Sequence, residues 1–200
     1  MYIFNNYCSL SELAKLFYAF IITRIFYPGC QLVRRPVFIR GKVRIQFGKG
    51  FATGRNCRIE ATGAKGDKQK KILFGSNCKM GEGMNIAVAE RLTIGENCLM
   101  ASRIFISDFD YGIYSGAEEH TPPSLAPVDR PVSSAPIVIG DNVWIGEQVC
   151  ILKGVRIGNG TIIGSNSVVS KSIPDNCIAA GAPARVIRTF NFQENRWEPV

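Results

Sequence analysis

From Ile139 to Val169 a β-branched aliphatic residue recurs at every sixth position: Ile139, Ile145, Ile151, Ile157, Ile163 and Val169. Glycine follows directly at 140, 146, 158 and 164. Six is the period of neither a helix nor a strand. It fits a coil in which each hexad makes one short strand and a tight turn, with three hexads to a triangular layer. The aliphatic side chain points into the prism, and the next residue lies where the chain turns. Glycine suits that place because it has no Cβ to clash and accepts left-handed backbone angles. Four residues after each isoleucine stand Val143, Val149, Val155, Thr161 and Ser167, a second inward position for small side chains. The chain is predicted to be an all-β solenoid, a parallel β-helix.

The frame reaches back once insertions are allowed. Phe47, Thr53 and Ile59 make one rung, Phe74, Met80 and Ile86 a second, and Ile94, Met100 and Ile106 a third. With the regular run this gives about five rungs. Cys57, Cys78, Cys98 and Ile104 fill the small inward position. Three interruptions break the count: Ala61 to Lys71, a two-residue slip near Arg91, and Phe109 to Ala135. Extra residues must leave a rung outward from a corner, and loops on a rigid scaffold are where chemistry is placed. The expected organisation is an amino-terminal helix and lead-in over 1–45, a β-helix over 46–190 with its outward loop at 109–135, and a carboxyl-terminal tail over 191–200.

A 200-residue chain that is 46% hydrophobic can bury one well-formed core. Its seven cysteines include no CxxC pair, and there is a single histidine, so no metal site is expected. Reduced, buried thiols in a cytoplasmic protein are the simplest reading. Near the amino terminus, Ser9-Leu10-Ser11-Glu12 has the form of a helix capping box ahead of an apolar, aromatic stretch to Tyr27. Its uninterrupted apolar run, Leu16 to Ile22, falls far short of the ~20 residues that span a bilayer. It also lacks the basic start and cleavage site of a signal peptide. A helix packed across the open end of the solenoid is expected. The alternative is an interfacial helix, which would put the protein at the inner face of the membrane.

The net charge of +8 does not point to nucleic acid, because the basic residues are dispersed and no recognition motif accompanies them. Lys68 to Lys71 reads as a solvated loop. A phosphorylated ligand, or an acceptor carried on a polyprenyl diphosphate, accounts for the charge equally well.

The segments Ile137-Val-Ile-Gly-Asp-Asn-Val-Trp-Ile-Gly146, Ile151 to Gly158, Ile163 to Val169 and Ala179-Ala-Gly-Ala-Pro-Ala-Arg-Val-Ile-Arg188 resemble the carboxyl half of the hexapeptide-repeat acetyltransferases. They are most similar to the sugar O-acetyltransferases of bacterial polysaccharide, O-antigen and capsule gene clusters. The resemblance implies a left-handed β-helix, a homotrimer with active sites between subunits, and acetyl-CoA as co-substrate. At the family's coenzyme positions it places Glu147 and Ser165 near the thioester and pantetheine. Ser170, Lys171, Arg185 and Arg188 fall toward the phosphates. Lysine and arginine suit phosphate by charge, and arginine adds bidentate hydrogen bonding. A carboxylate at 147 departs from the small polar residue usual there.

Acetyl transfer to a hydroxyl needs a base, and histidine titrates near neutrality. The relatives carry it in a segment like Ile-Ser-Asp-x-Asp-His-Gly. Here that segment reads Ile106-Ser107-Asp108-Phe109-Asp110-Tyr111-Gly112, with Tyr111 in the histidine's place. A phenol of pKa ~10 is a poor base at neutral pH. His120 lies further along the same loop, in Glu118-Glu119-His120-Thr121-Pro122-Pro123. Three readings stay open: His120 is the base, steadied by Glu118, Glu119, Asp108 or Asp110; Tyr111 or a carboxylate serves; or the protein is a scaffold that has lost the group. Asp110, Tyr114 and Phe109 are candidates for holding a sugar. The expected reaction is direct transfer from acetyl-CoA to a sugar hydroxyl, Cys150 being a packing residue and no nucleophile. Transfer of another acyl group, or transfer to a sugar amine, is the alternative.

Overall fold

A computed structural model of the protein describes residues 9–114 and 119–200. The capping box forms: Ser9 Oγ accepts the Glu12 N–H and Glu12 Oε2 accepts the Ser9 N–H at 2.9 Å, opening the helix Leu10–Phe26. Only Ala19 and Thr23 of this helix are buried. Thr23 Oγ1 donates to the Ala19 carbonyl at 2.6 Å and accepts the Val33 N–H at 2.8 Å. The helix is thereby tied to the first strand of the coil, Leu32–Val33.

Three ladders of parallel strands form the prism. The first face stacks Val33, Thr53, Met80, Met100, Ile145, Ile163 and Ala179 in register. The second stacks Ile39, Ile59, Ile86, Ile106, Ile151 and Val169. On the third, Phe47 lies parallel to Phe74 with ring centroids 5.8 Å apart, and Ile94, Ile139, Ile157 and Ile173 continue the column. These side chains are the core, and nearly all are inaccessible. Each such burial stabilises by about 1.5–3 kcal/mol. The small inward positions behave as expected: Cys57, Cys78, Cys98, Val143, Val149, Val155, Thr161 and Ser167 are all buried.

Pairing begins at Leu32, ahead of the residue at which the hexads first read clearly. Val33 and Ile39 keep the spacing of six, but the third face then carries two inward residues instead of one. Ile45 pairs with Ile72 and Gln46 with Leu73, so the aliphatic column shifts by two residues to Phe47. The same doubling, Leu92 with Ile94 and Ile137 with Ile139, produces the slip near Arg91.

The corners correct one expectation. The glycines that follow the aliphatic residues are not the left-handed ones. A Cβ on Gly146 would lie 2.6 Å from the Ser165 amide nitrogen, and one on Gly158 would lie 2.3 Å from that of Asp175. Glycine is required there because adjacent layers approach too closely for a side chain. The left-handed residue comes three positions after the aliphatic one and is mostly asparagine: Asn56, Asn77, Asn97, Asn142, Asn166 and Asn176 have φ between 54° and 60°. Asparagine tolerates that region and bonds locally.

The first insertion is fastened to the coil. Asp67 Oδ2 lies 3.4 Å from Arg44 Nε and 3.7 Å from Lys71 Nζ. Lys70 Nζ donates to the Val43 carbonyl at 2.8 Å and Lys71 Nζ to that of Ala89 at 2.6 Å. The lysines at 70 and 71 therefore fasten the first insertion onto the coil instead of lying free in solvent. The long loop leaves and returns as an antiparallel pair, Phe109–Tyr111 against Val132–Ser134. Beyond Cys177–Gly181 the chain reverses, and Ala184–Asn191 and Arg196–Pro199 add antiparallel strands to the first face. Residues 191–200 hold the turn and second strand of this hairpin, with Trp197 packed on Phe190.

Candidate active site

Asp108 is the hinge from which the loop departs. It is fully buried, and its carboxylate accepts the backbone N–H groups of Ala89, Glu90 and Arg91 at 2.7, 2.8 and 2.7 Å. Both oxygens are committed to this corner, so the residue anchors backbone and is not placed to orient a base.

The hairpin that follows roofs a cleft of about 640 Å³ on the outer side of the second face. Phe109, Asp110 and Tyr111 come from the hairpin; Arg40, Arg58, Glu60 and Phe105 come from three layers of the face; Lys153 closes one side. Lys153 Nζ lies 2.6 Å from Asp110 Oδ1 and 2.7 Å from Ser133 Oγ, bridging both hairpin strands to the next layer. Arg58 Nη2 lies 2.6 Å from Oε2 of the buried Glu60. Phe109 and Tyr111 meet edge to face at 6.0 Å. Carboxylates, cations and aromatic rings around one cavity suit a ring bearing several hydroxyl groups.

Tyr114 is turned back on its own loop. Its hydroxyl donates to the Tyr111 carbonyl and accepts from Arg130 Nη1 at 2.9 Å. It does not line the cleft, so of the expected sugar contacts only Phe109 and Asp110 do, joined by Tyr111. His120 is exposed and also outside the lining. Its neighbour Thr121 is held by two bonds, Thr121 N–H to the Ile113 carbonyl and Ile113 N–H to Thr121 Oγ1, each 2.9 Å. That clamp fixes the base of the segment bearing the imidazole just beyond the hairpin. Glu119 is exposed, and Glu118 lies outside the described residues.

The expected coenzyme residues fall on two corners. Leu152 donates to the Val169 carbonyl, which sets Lys153 and Lys171 on consecutive layers of the corner that also launches the loop. Lys171 and Arg185 line one small hollow with Ser172 and Ala184, about 200 Å³ in volume. Ser170 and Arg188 are exposed outside it. Glu147 and Ser165 occupy the corner between the first and second faces. There Ser165 Oγ accepts the Glu147 N–H at 3.1 Å, and the Glu147 carboxylate pairs with Arg103 at 2.6 Å.

Arg40, Arg58, Glu60 and Lys153 were not singled out from the sequence. Their signal is weak but present. Once the hexads are stacked, Arg40 and Glu60 become register partners on neighbouring layers, and Arg58 lies beside them on the same outer face.

The comparisons with known proteins agree with this architecture. Residues 136–171 match the model of the bacterial transferase hexapeptide family, described as six repeats. The chain is 38% identical over 178 residues to WbbJ of Escherichia coli, named for lipopolysaccharide biosynthesis O-acetyl transfer, covering 89% of this chain and 88% of that one. It is 35% identical over 130 residues to the galactoside O-acetyltransferase of the same organism, covering 62% of this chain and 60% of the relative. Among solved structures it superposes on AntD, an N-acyltransferase from Bacillus cereus in complex with dTDP and 3-hydroxybutyryl-CoA. The TM-score is 0.66 at 19% identity, covering 87% of this chain and 89% of that one. This likeness carries the fold, a left-handed parallel β-helix, mostly β with one helix. The extent and level of identity to WbbJ make the chain a member of the hexapeptide-repeat acetyltransferase family.

Proposed function

We propose that the protein transfers an acetyl group from acetyl-CoA directly to a hydroxyl of a sugar during cell-surface polysaccharide synthesis. One arrangement carries the reading: a polar, aromatic cleft and the Lys171–Arg185 hollow lie along the same edge of the prism. The hollow offers two cations to the coenzyme's phosphates, and the cleft offers hydrogen-bonding partners to a glycan. The acetyl group must then arrive between them, beside the loop that carries His120. The names of WbbJ and of the galactoside enzyme, both O-acetyl transferases, support a hydroxyl acceptor.

In this scheme His120 swings from its exposed position into the groove and takes the hydroxyl proton as the oxygen attacks the thioester carbonyl. A backbone N–H in the groove stabilises the oxyanion, and CoA leaves as the thiol. Asp110, held by Lys153, and Glu60, held by Arg58, accept bonds from neighbouring sugar hydroxyls. Phe109 and Tyr111 lie along the ring. Glu147 and Ser165, on the other corner, contribute from an adjacent copy in a homotrimer. The exposed register partners Leu99 and Trp144 supply apolar surface for packing prisms side by side.

Incubation with acetyl-CoA and a panel of sugars, sugar nucleotides and lipid-linked glycans, read by CoA release and product mass, tests the reading. A gain of 42 Da, about one acetyl group, on a hydroxyl is the expected product; CoA release only with amine acceptors would move the reaction to nitrogen. The scaffold reading has one observation in its favour, that a phenol and not an imidazole stands on the cleft wall at 111. It wins if the parent is silent on every acceptor while Tyr111→His gains turnover.

A further inference from the structure

The amino-terminal helix has two apolar sides and uses one. At 100° per residue, Leu16, Ala19 and Thr23 face the coil. Leu10, Leu13, Phe17, Ile21 and Ile25 fall on an arc centred about 150° away, and each is at least 40% exposed, with Leu10 at 86% and Phe17 at 66%. An arc of this size is far more than scattered surface hydrophobicity. Charge identifies its partner. Residues 1–59 contain ten Lys and Arg and a single acidic residue, Glu12, a net of +9, which leaves residues 60–200 at −1 against the total of +8. Glu12 itself is turned into the capping box. Exposed cations accompany the arc: Arg24 within it, lying 4.8 Å over the Phe20 ring, Lys15 on the flank of the helix, and Lys42, whose Nζ sits 4.4 Å over Tyr27 and donates to the Phe26 carbonyl at 2.6 Å.

We infer that this helix docks the enzyme on the surface of an anionic phospholipid bilayer, lying in the interface with Leu13, Phe17, Ile21 and Ile25 among the acyl chains and the surrounding cations among the headgroups. No helix among the described residues is long and apolar enough to cross a membrane, and seventeen residues give a rod of about 25 Å, which fits an element lying in the plane. A second copy of the chain is the poorer occupant, because packing two such ends together would juxtapose two strongly positive surfaces. Anionic lipid complements the charge and the apolar arc together. Arg40, on the second strand of the coil, belongs both to this positive end and to the cleft. Docking therefore sets one end of the cleft, at Arg40, toward the membrane.

Vesicle flotation of the full-length protein tests the inference without reference to acetyl transfer. With equimolar phosphatidylcholine and phosphatidylglycerol the protein should float, with partitioning at least about tenfold stronger than to phosphatidylcholine alone and weakening as salt rises. The double substitution Phe17→Ser/Ile21→Ser should reduce it by about tenfold or more while leaving the melting temperature unchanged, since both side chains are exposed. Arg24→Glu should weaken binding to anionic vesicles selectively. Equal recovery of parent and double variant with anionic vesicles would overturn the assignment. So would a parent that ignores all vesicles but forms an assembly, seen by light scattering, that the double substitution dissolves; that result would give the arc to a second copy.

Discussion

Lys153 Nζ and Asp110 Oδ1 meet at 2.6 Å, joining a residue of the outward hairpin to one on the next layer of the coil. The contact fixes how far the roof of the cleft stands from its floor. Both side chains are partly exposed, so the pair is expected to contribute little to stability, within about 1 kcal/mol. Its loss should instead be felt by the acceptor. Asp110→Asn and Lys153→Ala are each predicted to raise KM for the sugar several-fold while leaving KM for acetyl-CoA unchanged. Initial-rate kinetics with each substrate varied in turn will show the split.

Lys171 and Arg185 face one hollow at the far end of the same edge. Replacing either with alanine is expected to raise KM for acetyl-CoA by roughly 10- to 100-fold, the equivalent of losing a charge-assisted contact of about 1.5–3 kcal/mol. The kcat should change little, because contacts with phosphates remote from the carbonyl are equal in ground and transition states. Unchanged coenzyme affinity would place both residues on plain surface.

Asp108 holds three backbone N–H groups at the root of the loop. Asp108→Ala should cost about 3 kcal/mol, a drop in melting temperature of roughly 6–12 °C for a domain of this size. Activity should fall with it because the hairpin loses its footing. Calorimetry checks the first effect. A variant that melts like the parent would argue that the loop is held elsewhere.

Burial pushes the Cys30 thiol up to about 11 and raises those of Cys57 and Cys177 as well. A thiol with a raised folded-state pKa holds its proton more tightly folded than unfolded. These groups therefore favour the folded state less as pH rises from about 8.5, where an unfolded thiol ionises, toward 11. Denaturant melts across that window should show stability falling. At pH 8 a thiol reagent should react with the partly exposed Cys150 well before Cys30, Cys57 or Cys177.

The core was largely readable because its signal is geometric. An aliphatic residue every sixth position can be counted, and Ile145, Ile151 and Ile157 land where the count puts them. What hid the first layer was the doubled inward pair at Ile45 and Phe47, which breaks the count just where Val33 and Ile39 would have extended it. The antiparallel strands at 184–199 carry no hexad at all; they are fixed by pairing onto Cys177–Gly181, a tertiary contact without a local signature. Motif position singled out Lys171 and Arg185, which the fold sets in one hollow, and the loop after Asp108. The role of Asp108 was not legible, since a buried carboxylate bonded to three amides looks in sequence like any loop acid. Arg58, Glu60 and Lys153 come together only when the coil is wound.

The base is the sharpest point of the mechanism, and single-turnover kinetics on His120→Ala test it most directly. With a sugar acceptor and saturating acetyl-CoA, removing a general base should lower the rate by roughly 10²–10⁴. Acetyl-CoA affinity and the melting temperature should stay at parental values, and Tyr111→His should restore part of the loss by returning an imidazole to the cleft wall. A His120→Ala variant that turns over at the parental rate would contradict the assignment of His120 and send the search for the base to Tyr111 or Asp110.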